Sequence, residues 1–259
     1  MAILLFLVAH WTVSIFFQTF FLHRYASHRM FTMSPRVERA FHLLAWLGMG
    51  PSYLVPRAYA ILHRMHHAYS DTERDPHSPR FSKHMGAMMW KTKNIYHGFS
   101  ARKVEPEARF DGGFPEWPAL ERFSQKWPVI LGFGSLYFMF YLAFATHWWM
   151  YPLLLVHWLM GPIHGAMVNW YGHRIGYRNF NSDDDSRNTL PFDFLLMGEL
   201  FQNNHHKFGM SPNFAVRWFE IDPCYPIIKV LAWLRIIDLG PRPQLGRYTA
   251  PTQVADPAE

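Results

Sequence analysis

Apolar and polar positions segregate along this chain in blocks far longer than a turn of helix. Residues 1–23 and 127–173 contain no Asp, Glu, Lys or Arg, and both are dense in Leu, Phe, Trp and Met. An uncharged stretch of 47 residues is too long for the core element of a water-soluble domain. A helix needs about 20 predominantly apolar residues to cross about 30 Å of hydrocarbon. The pattern therefore predicts one span at 1–22 and two more, at 127–146 and 150–171, joined by a tight turn near Thr146 to Met150. The first segment lacks a basic leader and a small-residue cleavage site, so it reads as a retained anchor and not as a signal peptide. Residues 41–55 are also apolar, but only 34 residues separate His28 from His63, too few for two crossings and a turn. That segment is expected to lie in the membrane interface or dip into it.

The expected fold class is all-α: an integral membrane protein with about three transmembrane helices extended into a helical cap. Residues 1–240 are expected to form a single domain, followed by a polar tail at 241–259. Parity puts 23–126 and 174–240 on one side of the membrane. All 25 Lys and Arg fall in 23–126 and 174–259, 16 in the first part and 9 in the second, which makes that side cytoplasmic and the protein multi-pass. A bacterial inner membrane is the expected location.

Composition adds little to this and excludes several classes. With 259 residues, 50% hydrophobic and 18% aromatic, the chain is neither disordered nor fibrous, and its mean hydropathy of −0.10 conceals the segregation. The segment 23–126 has 16 basic and 9 acidic residues, a net +7, which suits anionic headgroups or an acidic protein partner; nucleic acid is not an expected partner. A single cysteine, Cys224, excludes internal disulfides and cysteine-rich metal sites.

The candidate chemistry lies in the histidines. Eight of the 16 fall in four clusters: His23 and His28, then His63, His66 and His67, then His173, then His205 and His206. All lie at or beyond a boundary on the cytoplasmic side. On a helix, residues three and four apart share a face, so His63, His66 and His67 can converge, as can Gln202, His205 and His206, and Asn169 with His173. His23 and His28, five apart, would point about 140° from one another on an ideal helix, and so address two centres or straddle a helix end. Eight imidazoles exceed the four ligands of one tetrahedral zinc and suggest two metals. No HExxH or ExxH pattern is present, which argues against a zinc metalloprotease and against carboxylate di-iron bundles. His10, His42, His84, His97, His147, His157 and His164 are read as packing or interfacial residues.

At these residues the chain resembles the membrane fatty acyl desaturases of the delta-9 type. Their boxes HxxxxH, HxxHH, NxxxH and (H/Q)xxHH match His23 to His28, His63 to His67, Asn169 to His173, and Gln202 to His206. SDTERDPHSP at 70–79 and DDDSRN at 183–188 resemble the stretches that follow the second box and precede the third. The resemblance implies that the eight histidines hold two non-haem irons and that Asn169 acts through a bound water. It implies that Gln202 sits beside a metal and that Asp71, Asp75 and Asp185 orient imidazoles. Tyr59 is a candidate for the wall of a substrate tunnel. The family's acyl-CoA members carry two spans before the first box and this chain one, so its N-terminus is expected to be extracytoplasmic or truncated.

The implied activity is O2-dependent insertion of a cis double bond into a saturated fatty acyl chain carried by coenzyme A or a membrane lipid. Two electrons would come from a separate donor such as a ferredoxin, a rubredoxin, or cytochrome b5 with its reductase. The alternatives are a hydroxylase of the same superfamily and a histidine-rich metal transporter, although a transporter should place its ligands at mid-membrane. A haem protein would instead need His10, His157 or His164 to face one another between spans.

Overall fold

The structure, a computed structural model, describes residues 1–240, so the polar tail expected at 241–259 lies outside the described residues. It is mostly helical. Helix α1 (Ala2–Phe17) passes without a break into a π-helical segment (Gln18–Ser27), giving one helix of 26 residues. Helices α2 (Pro35–Met49), α3 (Pro56–Tyr69) and α4 (Met85–Ser100) follow, then α5 (Pro118–Ser124), α6 (Trp127–Phe144), α7 (Leu153–Tyr171), the short α8 (Gln202–Lys207) and α9 (Cys224–Trp233). Proline opens α2, α3 and α5, where its missing amide hydrogen costs nothing and its fixed φ favours the first turn. Among the described residues the one sheet is minimal: β1 (Thr32–Met33) pairs antiparallel with β2 (Ile237–Asp238).

Among the described residues two helices are long and apolar enough to cross a membrane, 2–27 and 127–144. The sequence pattern ends the first near residue 22. The helix instead runs on to Ser27, so His23 is inside it. The expected third span is a 19-residue helix, α7, but His157, His164 and Pro162 hold it below the apolarity of the other two. Residues 41–55 form the end of α2 and a 3-10 turn at 50–52, which packs against α6 and α7.

Helices α6 and α7 meet closely at Gly134, where a Cβ would stand 1.9 Å from the Trp158 ring. Around the π-helical segment the core is aromatic, with Phe20, Phe21, Phe31, Phe201 and Phe214 almost wholly buried. Arg24 is fully buried in this core, its guanidinium 2.6 Å from Asp222 and stacked over Phe214, so the segment before α9 is locked onto the first helix. An unpaired charge there would be very costly, which makes the ion pair a register pin.

Candidate metal centre

The π-helical segment determines how the first histidine pair is used. The His28 amide donates to the carbonyl of His23, five residues back, at 3.2 Å. One widened turn therefore separates the two side chains, and their ring centroids stand 5.0 Å apart. They address one centre; the divergence expected from α-helical geometry is removed by the wider register.

Helix α3 brings His63 and His67 to the same place and α8 adds His205, while His66 of α3 and His206 of α8 turn to a second centre, so the two helix faces expected to converge are each divided between two groups. The Nε2 atoms of His28 and His63 are 2.7 Å apart, those of His63 and His67 3.0 Å, those of His67 and His205 2.9 Å, and those of His23 and His205 3.0 Å. Metal–nitrogen bonds of about 2.0–2.1 Å at right angles would place neighbouring nitrogens about 3 Å apart, the spacing found here. Beside this group of five, His66, His173 and His206 form a second, with Nε2 of His66 and His206 3.2 Å apart. Nε2 of His173 is buried without a hydrogen-bond partner. The donors are uniformly imidazole, converge by their outer nitrogens, and fit two divalent ions of the kind that favour nitrogen.

The inner nitrogens of His23, His66, His173 and His206 lie against carboxylates, whereas that of His205 is buried without a hydrogen-bond partner. Asp71 accepts from His173 at 2.8 Å and Asp75 from His66 at 2.9 Å. Asp71 has φ +56°, a left-handed conformation that aspartate tolerates better than most residues. Asp185 does not orient an imidazole. Its backbone amide donates to Asp71, and its carboxylate lies 3.8 Å from Arg80. Asp184 takes that role, 2.5 Å from Nδ1 of His206, because Ser182 and Ser186 hold its other oxygen. Glu199, which the sequence did not reveal, stands 2.6 Å from Nδ1 of His23. Such partners fix ring orientation and raise ligand basicity.

Burial pushes His28, His63, His67 and His205 well below the ordinary imidazole range, and neighbouring histidines push in the same direction. Burial also lowers His206, to about 4, against the opposing pull of Asp184. These groups are therefore neutral at pH 7, the form that binds metal. Burial works to raise Asp71, yet the His173 hydrogen bond outweighs it and holds the carboxyl at about 2.

A cavity of about 570 Å³ runs past His23 and His63. Tyr59 lines it, its ring stacked on His63. Asn169 and Gln202 line it as well. The Asn169 amide donates to Gly165 at 2.8 Å and the Gln202 amide to the Glu199 carbonyl at 2.7 Å. His77, to which the sequence reading gave no role, reaches the same cavity with both ring nitrogens buried and without hydrogen-bond partners. Its ring lies 4.4 Å from that of His66.

Away from this centre, Nδ1 of His10 and Nδ1 of His157 are 2.7 Å apart, and Tyr141 reaches Nε2 of His157 at 3.0 Å. The two imidazoles join α1 to α7 directly.

The described residues thus combine helices long and apolar enough to cross a membrane with two groups of histidines that could each hold a metal ion, beside a mainly apolar cavity. The family model for fatty acid desaturase matches residues 1–232, and the chain belongs to that family. It is 30% identical over 215 residues to delta-9 acyl-lipid desaturase 2 of Arabidopsis thaliana, covering 80% of this chain and 64% of the relative. It is 27% identical over 259 residues to the hex-5-enoyl-(acyl-carrier protein) acetylenase of Moorena producens, covering 89% and 74%. It is also 30% identical over 224 residues to the acyl-CoA C20 delta5-desaturase of Anemone leveillei, covering 85% and 67%. The chain thus spans just under two thirds of the first relative's length.

Proposed function

We propose that this protein is an O2-dependent fatty acyl desaturase that introduces a cis double bond, at the delta-9 position, into a saturated acyl chain. The observation that carries the reading is the convergence of two neighbouring groups of imidazole nitrogens, the first of which reaches the wall of a mainly apolar cavity through His23 and His63. On this reading one iron is held by His23, His28, His63, His67 and His205. His66, His173 and His206 would hold the other, and Asn169 and Gln202, which line the cavity, would act on the centre from there, Asn169 through a bound water. Bound iron would supply the oxidant that O2 and two external electrons generate, because a methylene C–H is far too weak an acid for any side-chain base.

The chain's own residues do the remaining work. Asp71, Asp75, Asp184 and Glu199 fix the imidazoles, and Tyr59, Leu62 and Val168 help to wall the acyl chain from water. Two hydrogens leave adjacent carbons, two protons and two electrons are taken up, and O2 ends as two waters. The electrons come from a separate donor protein of the ferredoxin, rubredoxin or cytochrome b5 kind. Residues 1–240 act as one domain, with α7 as a third span and 23–126 and 174–240 on the cytoplasmic face of a bacterial inner membrane. Expression in cells lacking this activity, with fatty-acid profiling and double-bond localisation, tests the reading. A new cis-9 monoene is expected; a hydroxylated chain or an unchanged profile contradicts it.

A further inference from the structure

One buried imidazole beside the two histidine groups has no part in the desaturase reading. His77 is 3% exposed, and neither of its ring nitrogens has a hydrogen-bond partner. Burying both nitrogens unpaired is costly, and a polar group so placed in a native fold calls for a ligand. Its position is tightly held. The His77 amide donates to Asp75 at 2.9 Å, and the same carboxylate accepts from Nδ1 of His66. Helix α4 grips the loop as well, Lys91 donating to the Asp75 carbonyl at 2.7 Å and Thr92 to the Pro76 carbonyl at 3.1 Å. The His77 ring is thereby set against that of His66, with centroids 4.4 Å apart and planes at 40°, and it lines the cavity.

The two histidine groups are unequal. Five imidazoles form the first and three the second, so a metal held by His66, His173 and His206 keeps room for a further donor, the position that water takes where a protein supplies three ligands. His77 does not fill it directly. Its donor nitrogen comes within 4.8 Å of His66 and Asp75 but does not join the group of His66, His173 and His206. Polar groups at such separations are commonly joined by a water. A water bound to a metal through its oxygen has two protons to donate, and a neutral imidazole presents one bare nitrogen to accept. Asn169 lines the same cavity and, with its amide nitrogen given to Gly165, offers its oxygen as an acceptor too.

We propose that His77 is a positioning residue, which holds by a hydrogen bond a water ligand of the metal at the three-histidine group. This rests on the reading of that group as a metal site, and the test separates the two. The loop that orients His66 through Asp75 thus also fixes a ligand that is not part of the protein.

Metal-free protein in detergent is titrated with cobalt(II), a nitrogen-binding stand-in for iron whose visible absorption reports its ligands. Two equivalents should bind to the wild-type chain; binding of one alone would remove the second metal and this proposal with it. His77→Phe keeps a ring against His66 but has no nitrogen, whereas His77→Gln loses the ring and keeps an acceptor. In His77→Phe one of the two sites should bind cobalt about 10–100-fold more weakly and with altered absorption. The other site should be unchanged, which also shows that the variant is folded. His77→Gln should stay closer to the wild type. Unaltered affinity and absorption in His77→Phe would overturn the proposal, as would equal weakening of both sites. A loss in His77→Gln as large as that in His77→Phe would overturn it as well, since packing and not the nitrogen would then matter.

Discussion

Asp184 holds Nδ1 of His206 at 2.5 Å, while its neighbour Asp185 gives its backbone amide to Asp71 and leaves its carboxylate near Arg80. Adjacent and chemically identical residues thus differ completely in what they do for the metal centre. Asp184→Asn should reduce metal retention or activity about 10–100-fold, the usual cost of losing such a partner. Asp185→Asn should change either little. Metal analysis of the two purified variants separates them, and equal losses would contradict the assignment.

The π-helical register makes a second prediction. His28 reaches the group of five only because its amide bonds to the carbonyl five residues back. His28→Ala should lower the iron content from two per chain towards one, with the three-histidine group still occupied. Iron quantified by mass spectrometry against protein concentration checks this. Retention of both irons would remove His28 from the ligand set.

The direct contact of His10 with His157 is expected to join helices and not to bind a cofactor. His157→Phe should destabilise the protein by about 1 kcal/mol, in line with interhelical hydrogen bonds in membranes. Because the partners touch, the cost in the double variant His10→Phe/His157→Phe should be less than the sum of the two single costs. Thermal unfolding in detergent measures this, and iron content should not change in any of the three variants.

Much of this site was legible in the sequence because imidazole ligands recur at fixed helical spacings. His63, His66 and His67 could be placed on one face from their spacing alone, but the structure divides them between two groups, His63 and His67 in one and His66 in the other. His23 and His28 could not, since nothing in HRYASH announces five-residue hydrogen bonding. Glu199 and Asp184 were hidden for a related reason. A carboxylate that orients a ligand is chosen by loop geometry, and DDDSRN offers three aspartates in a row. His77 was obscured within DPHSP, where no spacing rule ties it to His66. The charge-free segments gave the helices, but not the continuation of the first past residue 22, because a helix that enters the cap is no longer marked by apolarity.

The acid stability of the metal-free protein should follow the buried imidazoles. The native pKa values of His63, His67 and His205 lie below the ordinary 6.5 and that of His206 at about 4, so below pH 6.5 the unfolded chain takes up protons first at these four, whereas His66, which burial lowers but Asp75 raises more, works the other way. These four should make stability fall from pH 6.5 towards pH 4, while the His66 contribution, fully present below 6.5, is lost as the pH rises through its raised native pKa. Asp71, held at about 2, stabilises the fold fully above its ordinary 3.8 and loses that contribution between 3.8 and 2. Denaturation midpoints of apo-protein across this range provide the check; stability rising as pH falls below 6.5 would contradict neutral buried ligands.

The fate of oxygen tests the central claim most directly. Membranes containing the protein are supplied with 18O2 and a fully deuterated stearoyl chain, and the acyl product is analysed by mass spectrometry. Desaturation sends both oxygen atoms to water, so the product should have lost two deuterium atoms and carry no 18O. A product that has lost one deuterium and gained one 18O would show that this centre hydroxylates and does not desaturate.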